Sequence, residues 1–125
     1  KINIMIPDVS DIEKYKLHLD LIQQVVQQVI KDFSMFGLHV EISGSSENAY
    51  EELVEQLTPY FNNYYNNHLH GLSGILYRID IDEASLYKTI KPLPFNQKIR
   101  CIVDEVLKRE LQKVVLRKYF SEGNT

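Results

Sequence analysis

Two pairs of residues in one short stretch carry side chains that can do chemistry. His68 and His70 are two positions apart, and so are Asp80 and Asp82, with Glu83 following. In extended backbone, residues i and i+2 point to the same side. Each pair then presents two ligand groups together, imidazole nitrogens from one and carboxylate oxygens from the other. Gly71 and Gly74 lie between the pairs and permit a fold-back that joins them. His68, His70, Asp80 and Asp82 are therefore the candidate metal set, which would make the chain a metal-binding module or a metal-dependent hydrolase. The set matches no His-Glu-x-x-His, calcium-loop or cysteine-pair pattern, so it stands as the alternative reading.

Nucleophilic catalysis finds less support. Ser73 lies near His70, but no serine occupies a Gly-x-Ser-x-Gly turn. Gly44-Ser45-Ser46-Glu47 follows an apparent strand and resembles an anion-binding turn, yet Glu47, Glu51 and Glu52 would repel an anion, so a helix cap is the better reading. No catalytic site and no cofactor are expected.

Aromatic residues give the leading reading. Tyr60, Tyr64 and Tyr65 crowd one region beside Asn66 and Asn67, and Tyr77 and Arg78 follow shortly after. Tyrosine offers a large apolar body with a polar tip and is enriched where proteins bind each other. These seven residues form the candidate interaction surface. Its partner is expected to be protein, with a second copy of the chain as one choice.

Charge bears on nucleic acid and membranes. The chain of 125 residues has a formal net charge of -3. Residues 1–95 carry a net of -6 and residues 96–125 a net of +3. Arg100, Lys108, Arg109, Lys113, Arg117 and Lys118 offer a weak nucleic-acid alternative. Asp104, Glu105 and Glu110 interrupt them. No apolar run approaches the roughly 18 residues of a membrane span. Asp8, Asp11 and Glu13 come too early for a signal peptide. Cys101 is the single cysteine, so no internal disulfide can form, and the cytoplasm is the expected compartment.

The elements that must hold these groups follow from periodicity. Residues 2–6 alternate and suggest a short strand closed by Pro7. Ser10 and Glu13 have capping-box spacing at the start of a helix to about Phe33, with Leu19, Ile22, Val26, Val29 and Ile30 on one face. Leu38-His39-Val40-Glu41-Ile42 alternates as a half-exposed strand. A second helix carries Tyr50, Leu53, Val54, Leu57 and Phe61, with a kink or break expected near Thr58 because Pro59 removes a backbone donor. Residues 62–74 read as a polar, mobile loop. Ile75, Tyr77, Ile79 and Ile81 alternate with Leu76, Arg78 and Asp80, giving the clearest strand. Asp82 to Tyr87 forms one helical turn, and Pro92 and Pro94 mark a connector. Asn96 caps a last helix to about Tyr119, ahead of a frayed tail at 121–125.

The expectation is a single two-layer α+β domain over residues 1–125, two or three strands against three long helices in the order (β)-α-β-α-β-α. Its expected role is a non-catalytic protein–protein interaction or self-associating module, forming a homodimer.

Overall fold

The computed structural model describes residues 19–42 and 48–123. Among them there is no strand. Five helices follow one another: α1 (Leu19–Ser34), α2 (Ala49–Asn67), α3 (Leu69–Ile79), α4 (Glu83–Ile90) and α5 (Phe95–Gly123). The architecture is an all-helical bundle, which overturns the expected α+β fold.

Helix α5 is the axis of the bundle and touches each of the other four helices. Ile102, Val103, Val106, Leu107, Leu111 and Val114 form its buried stripe. Each surrounding helix answers with its own stripe at helical spacing. Helix α1 gives Ile22, Val25, Val26, Val29 and Phe33, and α2 gives Leu53, Val54, Leu57 and Phe61. Helix α3 gives Leu72, Ile75, Leu76 and Ile79, and α4 gives Leu86 and Ile90.

The strand expected at residues 73–81 is helical as far as Ile79, where α3 ends. Leu72, Ile75, Leu76 and Ile79 stand at i, i+3, i+4 and i+7, and all four are fully buried. A helix buries this set on one face, whereas a strand would split it between two. The alternation of Ile75, Tyr77 and Ile79 is incidental, since Tyr77 is exposed on the opposite side. The helix ends in a Schellman motif. Asp80 takes φ 66°, its N–H donates to the Tyr77 carbonyl at 3.1 Å, and the N–H of Ile81 donates to that of Leu76 at 2.9 Å.

The segment expected as a strand at residues 38–42 is extended but belongs to no sheet. Its alternation is real, with Val40 buried, Leu38 and Ile42 packed on the core, and His39 and Glu41 exposed. Its polar backbone finds a side chain in place of a strand. The Gln56 amide accepts from the Glu41 N–H at 2.9 Å and donates to the Glu41 carbonyl at 2.6 Å.

Residues 62–74, expected as a loop, are helical except at His68, where α2 gives way to α3. The asparagines that suggested a loop bond along the outside of α2. Asn66 Nδ2 donates to the Asn62 carbonyl at 2.8 Å, and Asn67 Nδ2 to Asn63 Oδ1 at 2.8 Å. Helix α2 continues through Pro59 with no break near Thr58. Pro59 lies on the exposed side, where the carbonyl it leaves without a partner can meet water.

Pro94 accepts the first backbone bonds of α5, from the N–H groups of Gln97 and Lys98 at 3.0 Å each. Asn96 is therefore inside the helix and is not its cap. The helix passes the expected end at Tyr119 and includes residues 121–123 of the expected tail. The expected strand at 2–6, the Ser10/Glu13 capping box and the Gly44–Glu47 cap lie outside the described residues.

Candidate functional site

The candidate site is the corner where α2 turns into α3. An aromatic series runs to it from the core. The buried rings of Phe33 and Phe61 meet edge to face at 5.8 Å, and Tyr60 meets Phe61 edge to face at 5.7 Å. Tyr64 stacks on Tyr60 at 4.6 Å, and the exposed His68 ring follows Tyr64 at 5.5 Å. Tyr60 is fixed by donating its hydroxyl to the Phe36 carbonyl at 3.2 Å, and its burial holds that hydroxyl well above the usual phenol range.

Gly71 lets the corner close. A β-carbon there would stand 2.6 Å from Tyr64 Cε2, so the ring lies on bare backbone of α3. Around it, Asn63, Tyr64, Asn67, His68, Leu69, His70 and Gly71 line an open cleft of about 490 Å³. Leu69 is 55% exposed at its edge. On the outer face of α3, Tyr77 is 87% exposed. His70, Gly74 and Tyr77 fall on one side of that helix, opposite its buried stripe.

The seven residues of the expected interaction surface divide between anchoring and presentation. Tyr60, Tyr64 and Tyr65 are half-buried and pack on the core. Asn66, Asn67, Tyr77 and Arg78 are exposed. Arg78 leans back toward α1, with Nε 3.5 Å from Asp32 Oδ1. Leu69 falls within the expected contact stretch of residues 60–70, whereas Gly74 was missed, because it was assigned to a loop where no helical face could be drawn.

The four candidate metal ligands are separated by α3 itself. His68 and His70 stand at its start, Asp80 and Asp82 beyond its end. Between His68 and Asp80 lie the eleven residues of α3, about 16 Å of helix at about 1.5 Å per residue. The set depended on extended backbone and a glycine fold-back, and the helix removes both. Among the described residues no group of three or more His, Cys, Asp or Glu is placed to hold a metal ion. Asp80 instead accepts from Arg109 Nη2 at 3.0 Å, and Asp82 accepts from Ser85 at 2.5 Å. Ser73 donates to Glu83 at 2.5 Å, a carboxylate and not an imidazole.

The basic residues of α5 are engaged within the fold. Lys98 donates to the carbonyls of Ile90 and Lys91, both at 2.8 Å, where α4 ends. Arg100 pairs with Asp104 at 3.0 Å, Lys108 with Glu105 at 2.9 Å, and Arg109 with Asp80 at 3.0 Å. Lys118 reaches Asp20 at 2.9 Å, and Arg117 donates to Gln28 at 3.0 Å. Arg100 and Lys108 thus pair within α5, while Lys98, Arg109, Arg117 and Lys118 tie α5 to neighbouring segments.

Lys113 belongs to a buried polar cluster between α1, α3 and α5. Its Nζ lies 3.1 Å from Asp32 Oδ2 and 3.1 Å from Glu110 Oε1. Gln28 donates to Asp32 at 3.0 Å. Asp32 is 4% exposed and Glu110 is 0% exposed. Burial, then the neighbouring Asp32, pushes the Glu110 carboxyl up to about 8. Burial also acts to raise Asp32, but hydrogen bonds from Glu110, Gln28 and Lys113 outweigh it and hold Asp32 below its ordinary value. The sequence did carry a signal for Glu110, which sits three residues after Leu107 and four before Val114, within the apolar stripe. Beside the cluster, a polar groove of about 420 Å³ is lined by Asp20, three exposed glutamines, Gln28, Lys31 and Arg117. The bonded amide of Gln28 lies between this groove and Asp32.

Cys101 is half-buried, and burial raises its thiol above the ordinary range, as expected of an unreactive cysteine. Among the described residues no helix is long and apolar enough to cross a membrane. No family model, curated protein or solved structure matches the chain.

Proposed function

We propose that this helical domain is a non-catalytic interaction module that self-associates through the outer face of α3 and the adjoining α2–α3 corner. The observation that carries the reading is Tyr77, a large side chain left 87% exposed on a helix whose other face is fully packed. Gly74 lies one turn before it on the same face, and His70 one turn before that. A two-fold pairing of α3 with its copy would cross at Gly74, where the absent side chain permits close approach. Tyr77 of each copy would then lie over His70 of the other, and Leu69 and the cleft would flank the contact. Aromatic anchors of this kind commonly carry about 2 kcal/mol or more of an interface's affinity.

Half-buried Tyr64 and Tyr65 support the fold, so their truncation would confound folding with binding. Tyr77→Ala and Gly74→Lys change the exposed face, and a β-carbon at Gly74 makes only an ordinary contact, 3.8 Å from Phe36 Cε1. Sedimentation equilibrium should show that either variant dissociates a dimer while helical content stays unchanged. Unaltered association in both variants would refute the assignment of this face.

A further inference from the structure

We propose that Glu110 and Asp32 form a proton-sharing latch that fastens α1 to α5 and that opens when the shared proton is lost. Two buried carboxyls sharing one ammonium favour a proton on the pair. Glu110 is fully buried, and neither of its oxygens accepts a well-formed hydrogen bond. Its ion-pair partner is Lys113 Nζ, 3.1 Å from Oε1, and Asp32 claims the same ammonium at 3.1 Å, so an ionised Glu110 would leave two buried carboxylates on one cation. A protonated Glu110 can donate to Asp32, with which it shares Lys113 Nζ at 3.1 Å each. Asp32 is suited to keep the negative charge. It accepts from Gln28 at 3.0 Å and from Lys113 at 3.1 Å, and Arg78 Nε stands 3.5 Å away.

The facing groups are accounted for helix by helix. Helix α1 brings Asp32 and the neutral Gln28, α3 brings Arg78, and α5 brings Lys113. The charges that act most strongly on Glu110 are those of Lys113 and Asp32. With one proton on the pair, Asp32 and Lys113 balance and Arg78 stays partly in water. Without it, two buried carboxylates share one buried ammonium. Moving α1 away lets both carboxylates hydrate, so loss of the proton favours the open seam. Gln28 carries the effect along α1, because it joins Asp32 to Arg117.

The test has two parts on the full chain. The side-chain carboxyl carbon of Glu110 is followed by ¹³C NMR between pH 4 and pH 10, identified by its absence in Glu110→Gln. It should titrate near 8; titration in the ordinary carboxylate range overturns the proposal. Amide exchange is then followed in α1, corrected for intrinsic base catalysis. Protection should fall about tenfold per pH unit between about 5 and 8 and level off above that, since only the open state releases the proton. In Glu110→Gln, whose amide can donate to Asp32 and never ionises, the protection should be flat over the same range. An equal fall in both proteins overturns the latch. Should the variant fail to fold, through-bond correlation to the Glu110 backbone amide identifies the carboxyl carbon, and its titration in the unaltered protein still decides the matter.

Discussion

A β-carbon at Gly71 would stand 2.6 Å from Cε2 of Tyr64, closer than packed atoms approach. This one contact fixes how α3 leaves α2. Gly74, one turn later, meets only Phe36 Cε1 at 3.8 Å, an ordinary contact. The two glycines should therefore respond oppositely to the same substitution. Gly74→Ala should stabilise the fold by about 0.5–1 kcal/mol through helix propensity alone. Gly71→Ala gains the same propensity but must displace a ring stacked on Tyr60, so it should destabilise by about 1–2 kcal/mol net. Urea unfolding of both variants checks this, and equal shifts would contradict the packing of Tyr64.

Asp80 is the one non-glycine residue with positive φ among the described residues. Its strain is offset by the Schellman bonds and by Arg109, which donates to both its carbonyl, at 3.2 Å, and its carboxylate, at 3.0 Å. Asp80→Gly removes the strain and keeps the carbonyl contact, so it should be neutral or stabilising by up to about 1 kcal/mol. Asp80→Val should destabilise by more than about 1 kcal/mol, because a β-branched residue tolerates this backbone poorly. Thermal unfolding of the two variants gives the comparison.

These positions also show how far the fold was legible. The stripes of α1, α2 and α5 were readable because their apolar residues repeat over several turns. Helix α3 was not, because its eleven residues satisfy two periods at once. Ile75, Tyr77 and Ile79 alternate, while Leu72, Ile75, Leu76 and Ile79 repeat every three to four residues. Only burial separates the two, and burial depends on α5, which lies elsewhere in the chain. Segment 38–42 failed for the opposite reason. Its alternation was sound, but the Gln56 amide replaced the strand that alternation implied. The metal set depended on extended backbone and was lost once residues 69–79 became a helix.

Lys113 is the cation shared by Asp32 and Glu110. Lys113→Met keeps the aliphatic stem and removes the charge. Breaking a buried pair in this way commonly costs about 3 kcal/mol, and a loss of that order is expected at neutral pH. Part of it should return in the double variant Lys113→Met/Asp32→Asn, which leaves no unpaired carboxylate at Asp32. Denaturant titrations of the single and double variants test this, and simple additivity would contradict the coupling.

The same cluster sets a pH dependence for the whole fold. Glu110 is raised from its ordinary 4.5 to about 8. The folded state therefore holds a proton that the unfolded state releases throughout that window. This contribution to stability is fully present below the unfolded value and falls by about 1.4 kcal/mol per pH unit until pH reaches the folded one. Asp32 acts oppositely. Its lowered folded value gives stability that disappears only as the solution becomes strongly acidic. Glu110→Gln should abolish the decline between about pH 5 and 8 and leave the acid limb unchanged, as denaturant midpoints across that range would show.

The most direct test of the interaction reading is the mass in solution. Sedimentation equilibrium at micromolar concentration should give the wild-type chain twice its 14.6 kDa, and Tyr77→Ala and Gly74→Lys should each shift it toward the monomer. A wild type that stays monomeric, or a dimer indifferent to both substitutions, would contradict self-association through α3.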